Sequence, residues 1–213
     1  MQADSRWYET LGGQPPWQDE HWRDPFVIAD PDGHGWHMLI TARANTGPDD
    51  DRGAIGHARS ADLRHWEVQP PLSVPGAGFG QLAVFQVATV DGRHVLIFNC
   101  LPPEYSAGRS ATGGRGAIWA ATGDTPLGLR RHGATPLTDD SFYVGKLVRD
   151  PSGSWVLLAF HNFDADGTFG GALSDPMPVH WNRGTLQVTR PIGSPSASSS
   201  FEHPIGVGTR GPA

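Results

Sequence analysis

Short apolar runs separated by turn residues set the pattern of this chain. Val27-Ile28, Met38-Leu39-Ile40, Val95-Leu96-Ile97-Phe98 and Trp155-Val156-Leu157-Leu158 are rich in β-branched and aromatic side chains. Little of the chain keeps a helical period. Continuous apolar runs of this length predict strands, and strands covered on both faces rather than on one.

Three segments repeat the pattern. They are DPFVIADPDGHGWHMLITAR (24–43), VFQVATVDGRHVLIFNC (84–100) and YVGKLVRDPSGSWVLLAFHN (143–162). Each is an apolar strand, a turn and a second apolar strand. The turn glycines Gly33, Gly92 and Gly153 are 59 and 61 residues apart. Asp-Gly at 32–33 and 91–92, and Ser152-Gly153, supply the positive-φ positions that tight hairpins require. A third strand is expected after each pair, from Gly53, Gly116 and Gly170. In the first unit, ADLRHWEVQPPL adds a turn and a fourth strand ending at a proline.

Four-stranded antiparallel units repeating every ~60 residues predict the blades of a β-propeller. The expected fold class is therefore all-β, with three blades at about 24–72, 82–138 and 142–185 in a single domain spanning 1–190. Propellers close with ~4–8 blades. Three blades leave two sheet faces uncovered. The ring is then left open, has lost N-terminal blades, or is completed by a homodimer of three-bladed halves. Residues 1–22 carry Trp7, Tyr8, Trp17 and Trp22 and are expected to form an ordered loop on the first blade. Residues 191–213 have the composition of a disordered tail.

Composition narrows the function classes. The formal net charge is -6 and no Lys/Arg run occurs, which argues against nucleic-acid binding. No apolar run approaches the ~18 residues of a membrane helix. The N-terminus lacks the apolar core of a signal peptide, and the single Cys100 has no intramolecular disulfide partner, so a cytoplasmic location is expected. His-x-His, His-Glu-x-x-His and Cys-x-x-Cys are absent, so neither a metal nor another cofactor is expected. GAGFG at 76–80 is followed by no helix and reads as a turn rather than a phosphate loop.

Two motifs carry a family resemblance. WRDPFVIADPDGHGWHMLITARA holds Arg23-Asp24-Pro25, and GHARSADLRHWE holds a Ser-x-Asp-Leu-x-x-Trp turn. Together they resemble the β-fructosidase clan of glycoside hydrolases, the five-bladed propellers of invertases, levanases and levansucrases. The similarity is to family 32-like proteins of actinobacteria. It spans roughly residues 4–180 and matches the later blades. The resemblance implies three carboxylates: a nucleophilic Asp in the first blade, the transition-state-stabilising Asp of Arg-Asp-Pro, and a general-acid Glu in a later blade. An oxocarbenium-like transition state needs a carboxylate on one face and a proton donor at the leaving oxygen. Only Asp24 is carried over. The nucleophile's blade has no counterpart, and the Glu position falls at Ala83 in GQLAVFQ. The implied protein is a glycosidase-like chain whose hydrolysis is lost or altered. The alternative is a non-hydrolytic protein on the same scaffold, binding carbohydrate or shaping a small molecule in cyclase-like biosynthesis.

Other candidates come from the residues themselves. Asp-Pro recurs at 30–31, 150–151 and 175–176, where turn capping is the ordinary role. Arg23 raises Asp24 above those cases, either as an ion partner or by orienting Asp24 or a ligand hydroxyl. By strand parity Gln81 shares a face with Ala83, while Gln86 does not, so Gln81 is the substrate-binding candidate and Gln86 the structural one. Lys146, in a chain with few lysines, sits in the apolar strand YVGKLV and is expected to snorkel or to line the central cavity. Tyr143 and Lys146 have opposite parity in a regular strand. His161, ending the third unit's second strand, is a weaker lining candidate, and His57 reads as a packed rim residue.

Overall fold

The computed structural model describes residues 1–10, 20–163 and 167–189, with the side chains of 129–132 excepted. Residues 11–19 of the expected loop at 1–22 and the expected tail at 191–213 lie outside the described residues, and Trp22, expected in that loop, begins the first strand. The fold is all-β. Three four-stranded antiparallel sheets follow one another along the chain. Blade 1 holds β1 (Trp22–Ala29), β2 (Trp36–Arg43), β3 (Gly53–Ser60) and β4 (Glu67–Gln69). Blade 2 holds β5 (Ala83–Val90), β6 (Arg93–Asn99), β7 (Ile118–Gly123) and β8 (Leu129–Pro136). Blade 3 holds β9 (Phe142–Arg149), β10 (Trp155–His161), β11 (Met177–Asn182) and β12 (Thr185–Val188). Each is a meander in sequence order, so the chain is a partial β-propeller of three blades.

The turns form where the glycines stand. Val90 pairs with Arg93 across Asp91 (φ 50°) and Gly92 (φ 78°), a two-residue turn with both centres at positive φ. After β3, Ser60 Oγ accepts from the Leu63 amide at 2.8 Å, and Asp62 Oδ1 from the Arg64 and His65 amides, each at 2.8 Å. That is the local chemistry of the Ser-x-Asp-Leu-x-x-Trp turn. The third strand of blade 3 departs from expectation. Residues from Gly170 exchange backbone hydrogen bonds with Ala159, His161 and Asn162 and form an isolated bridge, Phe160 to Leu173, while the regular strand begins at Met177. Pro176 lacks a ladder donor and separates the two pieces.

Blade 2 is covered on both faces. Leu96, Phe98, Trp119 and Ala121 enter a core shared with Leu39, Ile55, Phe79 and Leu82. Val95, Ile97, Ile118 and Ala120 enter a second core with Leu147, Leu157, Ala159 and Met177. Blade 1's far face is closed by Tyr8, whose ring lies 4.8 Å from that of Trp22 and whose hydroxyl donates to Gln69 O at 2.7 Å. The fully buried Arg43 pairs with Glu9 at 2.6 Å and ties the N-terminal segment to β2. On the far face of blade 3, among the described residues, Phe160 is 38% exposed and its bridge partner Leu173 59%.

Every first strand breaks register at the same place. Arg23 pairs with Thr41 and pairing resumes at Phe26 with Leu39. Ala83 pairs with Asn99 and resumes at Gln86 with Ile97. Tyr143 pairs with Phe160 and resumes at Lys146 with Leu158. Each bulge holds a non-glycine residue at positive φ: Asp24 at 53°, Val84 at 52° and Val144 at 51°. Such a backbone costs on the order of 1–3 kcal/mol, most for β-branched residues, and persists only where the surroundings impose it. Both neighbouring blades hold the β5 bulge. The Val84 amide donates to Thr41 Oγ1 at 3.2 Å. The Gln86 amide group clamps Leu147, donating to its carbonyl at 2.8 Å and accepting from its N–H at 2.7 Å.

Two stability predictions follow from these contacts. Gln86→Met keeps the volume but strands the Leu147 backbone groups, and should cost about 2–4 kcal/mol in urea unfolding. His57 lies 2.8 Å from His37, which reaches Asp30 at 3.1 Å, and Arg59 reaches the same carboxylate at 2.7 Å. Burial first, then the charges of His37 and Arg59, push the His57 pKa down to about 4 from 6.5. The unfolded chain therefore holds a proton that the folded chain releases. This contribution is complete above pH 6.5 and should be lost as pH falls to about 4, by up to roughly 3 kcal/mol. Urea midpoints measured from pH 7.5 to 4 should fall in that window, and His57→Gln should flatten the fall.

Candidate functional site

The three bulges bring polar side chains together where the first strands approach one another. Asp24 is set on the β1 bulge, and its Oδ2 accepts from Thr41 Oγ1 of β2 at 3.2 Å. Arg23 Nε stands 3.7 Å from the same oxygen. Arg23 Nη2 donates to Gln81 Oε1 at 2.8 Å, crossing from blade 1 to the segment that leads into β5. Gln81 Nε2 in turn donates to Glu104. The Leu101 amide donates to Glu104 Oε2 at 2.9 Å within the 3-10 turn Pro102–Glu104. Asp24, Arg23, Gln81 and Glu104 thus form one relay. The Arg23 and Asp24 side chains remain 37% and 34% exposed, so a ligand can reach them.

Blade 3 adds Tyr143 and Lys146. A bulge inserts one residue, so a separation of three acts as two and both side chains leave β9 on the same side. The opposite parity expected of a regular strand is corrected by that bulge. Lys146, the chain's single lysine, donates to Phe85 O at 2.9 Å and lies 5.6 Å from the centre of the Phe26 ring. Burial pushes its ammonium below the ordinary value, and the nearby charge of Asp24 opposes that shift. Burial pushes the Tyr143 phenol up, the charges of Glu104 and Asp24 add to the shift, and Arg23 opposes it.

The remaining candidates take other places. Ala83 is 3% exposed and holds the register position that Arg23 holds in blade 1 and Tyr143 in blade 3. Asn99 donates to its carbonyl at 3.4 Å. The β5 bulge puts Gln86 on the same side as Ala83, which corrects the parity expected of a regular strand, and Gln86 is the clamp between blades 2 and 3. His161 packs on the Phe142 ring at 5.1 Å, one position beyond the Tyr143–Phe160 pair. His57 belongs to the Asp30–His37 cluster. Glu104 is the residue that the sequence does not reveal. A lone acid after Pro102-Pro103 carries no signal of its own until the loop closes on Gln81. The cluster offers two carboxylate acceptors beside guanidinium, amide and ammonium donors, a set suited to a polyhydroxylated ligand.

No protein-family model and no curated protein matches the sequence. Solved structures do match in fold. The inulosucrase from Halalkalicoccus jeotgali bound to kestose superposes with a TM-score of 0.69 at 17% identity, over 88% of this chain and 54% of that one. The catalytic domain of Microbacterium saccharophilum β-fructofuranosidase gives 0.67 at 16% identity, over 89% and 49%. The Gluconacetobacter diazotrophicus levansucrase gives 0.65 at 17% identity, over 88% and 48%. This chain has their propeller fold. It spans about half the length of these proteins. At such identities the likeness fixes the fold, and the chemistry rests on the side chains present.

With only one lysine, an amine-reactive label reports on Lys146 and the N-terminus alone. The pH–rate profile of Lys146 modification should have its midpoint below the ordinary 10.5. Asp24→Asn removes the charge that favours the ammonium and should lower the midpoint further. Peptide mapping separates the two labelled sites.

Proposed function

We propose that this chain binds a fructoside or related sugar where its first strands converge, and that its hydrolytic chemistry is lost or altered relative to a β-fructosidase. The observation that carries this reading is the bulge. Of the three equivalent positive-φ positions, two hold valine and one holds Asp24. A half-exposed carboxylate at a strained position, with Arg23 beside it, fits recognition of ligand hydroxyls or of developing positive charge. The Arg23-Asp24-Pro25 resemblance and the fold shared with fructoside-processing proteins support the same assignment.

Loss of acid chemistry rests on Ala83. An alanine donates no proton, and removing a general acid costs ~10²–10⁴ in rate. Sucrose and a panel of nitrophenyl glycosides, assayed on the protein and on Ala83→Glu, test this. With the nucleophile's blade also without a counterpart, hydrolysis by neither protein is the expected result, and hydrolysis gained only by Ala83→Glu would place the acid at that position. Hydrolysis by the unaltered chain would mean that another carboxylate supplies the proton. Asp24→Asn should abolish sugar binding, measured calorimetrically, while the melting temperature changes little.

A second reading is favoured by Lys146 and Tyr143. A partly desolvated amine and a phenol, both within the field of Asp24, suit non-hydrolytic acid–base work on a small molecule, as in a cyclase-like step.

A further inference from the structure

We propose that Glu104 is the second ligand-binding carboxylate of this site, accepting hydrogen bonds from sugar hydroxyls at the far end of the relay that starts at Asp24. The proposal rests on the sugar-binding reading above and adds a residue and a ligand preference to it. Three observations support it.

The first is position. Gln81 stands two residues before Ala83 and delivers Glu104 into the cluster through its amide, while its carbonyl oxygen holds Arg23 at 2.8 Å. A carboxylate thus joins the network next to the position where Ala83 provides none. It comes from the loop between β6 and β7, not from the strand itself.

The second is rigidity. The loop is pinned on three sides. Gly80 N donates to Glu104 O at 2.7 Å, Ser106 N to Gly78 O at 3.1 Å, and Leu101 N to the Glu104 carboxylate at 2.9 Å. The Phe79–Tyr105 bridge continues the attachment. A ligand-binding group held this firmly loses little freedom on binding.

The third is chemistry. Two N–H donors, from Gln81 and Leu101, already point at its carboxylate. Each carboxylate oxygen accepts more than one hydrogen bond, so ligand hydroxyls can donate to it as well. Its role is binding, so no hydrolysis is expected from it. With Asp24 it provides two acceptors in one cluster, and Arg23 and Gln81 hold them in fixed relation. The ligand class this fits is a neutral furanose or furanoside with several free hydroxyls. An anionic sugar would place its charge against two carboxylates.

Calorimetric titration with kestose, sucrose and fructose tests the proposal on the full chain, with Glu104→Gln, Glu104→Asp and melting curves for each. Glu104→Gln should weaken binding about tenfold to a hundredfold, because a hydrogen bond to a charged acceptor is lost. Glu104→Asp should recover part of that loss. Deoxyfructoses lacking one hydroxyl at a time provide a readout that a purely structural role would not move. For the hydroxyl that Glu104 accepts from, deletion should cost the unaltered protein about tenfold and cost Glu104→Gln little. Equal affinities for Glu104→Gln and the unaltered chain would overturn the proposal and leave the sugar-binding reading intact. So would a uniform loss across all the deoxy sugars. Absence of binding by the unaltered chain to every probe would overturn both.

Discussion

Val95, Leu96, Ile97 and Phe98 send alternate side chains into two separate cores, and the rest of the molecule is built outward from that strand. Leu96 and Phe98 meet blade 1, and Val95 and Ile97 meet blade 3. A sheet that is apolar on both faces needs a neighbour on each side. At the usual ~25 cal/mol per Å² of apolar surface buried, this double coverage is the main force stacking the three blades. The stacking in turn brings the first strands close enough for side chains to bridge them.

Those bridges are polar and specific. Gln86 clamps the Leu147 backbone, Lys146 reaches the Phe85 carbonyl, and Arg23 reaches Gln81. They lie beside three equivalent positive-φ bulges. The bulge also changes which side chains share a face, and so decides the composition of the candidate site. Strain, bridging and ligand access meet at one place. That coincidence distinguishes Asp24 from the aspartates of the ordinary Asp-Pro turns.

The two ends of the stack are treated differently. On blade 1, Tyr8, Trp22 and the buried Arg43–Glu9 pair close the face. On blade 3, Phe160 and Leu173 stay exposed. Solved proteins of this fold are about twice as long.

Much of the architecture was legible from the chain alone, because its causes are local. Period, β-branched content and turn glycines are properties of neighbouring residues, so three blades, their hairpins and the Ser60–Trp66 turn could be read directly. Strand parity separated Gln81 from Gln86, but Gln81 precedes β5 and the bulge between Ala83 and Gln86 puts Gln86 on Ala83's side, so alternation is not what divides their contacts. The bulges were not legible. An aspartate and two valines hold the equivalent positions, so no common side chain marks them, and the β5 bulge is held by contacts with both adjacent blades. The same holds for Tyr143 and Lys146, whose shared side depends on an inserted residue that alternation cannot reveal. Glu104 was beyond reach for the same reason: its place in the site is set by Gln81, 23 residues earlier in the chain, through a loop closed only when blades 1 and 2 pack. The sequence by itself determined the strands, the repeat and the candidate Asp24. The tertiary structure alone decided which side chains meet, because the positive-φ bulges and the contacts between blades exist only once the sheets have stacked.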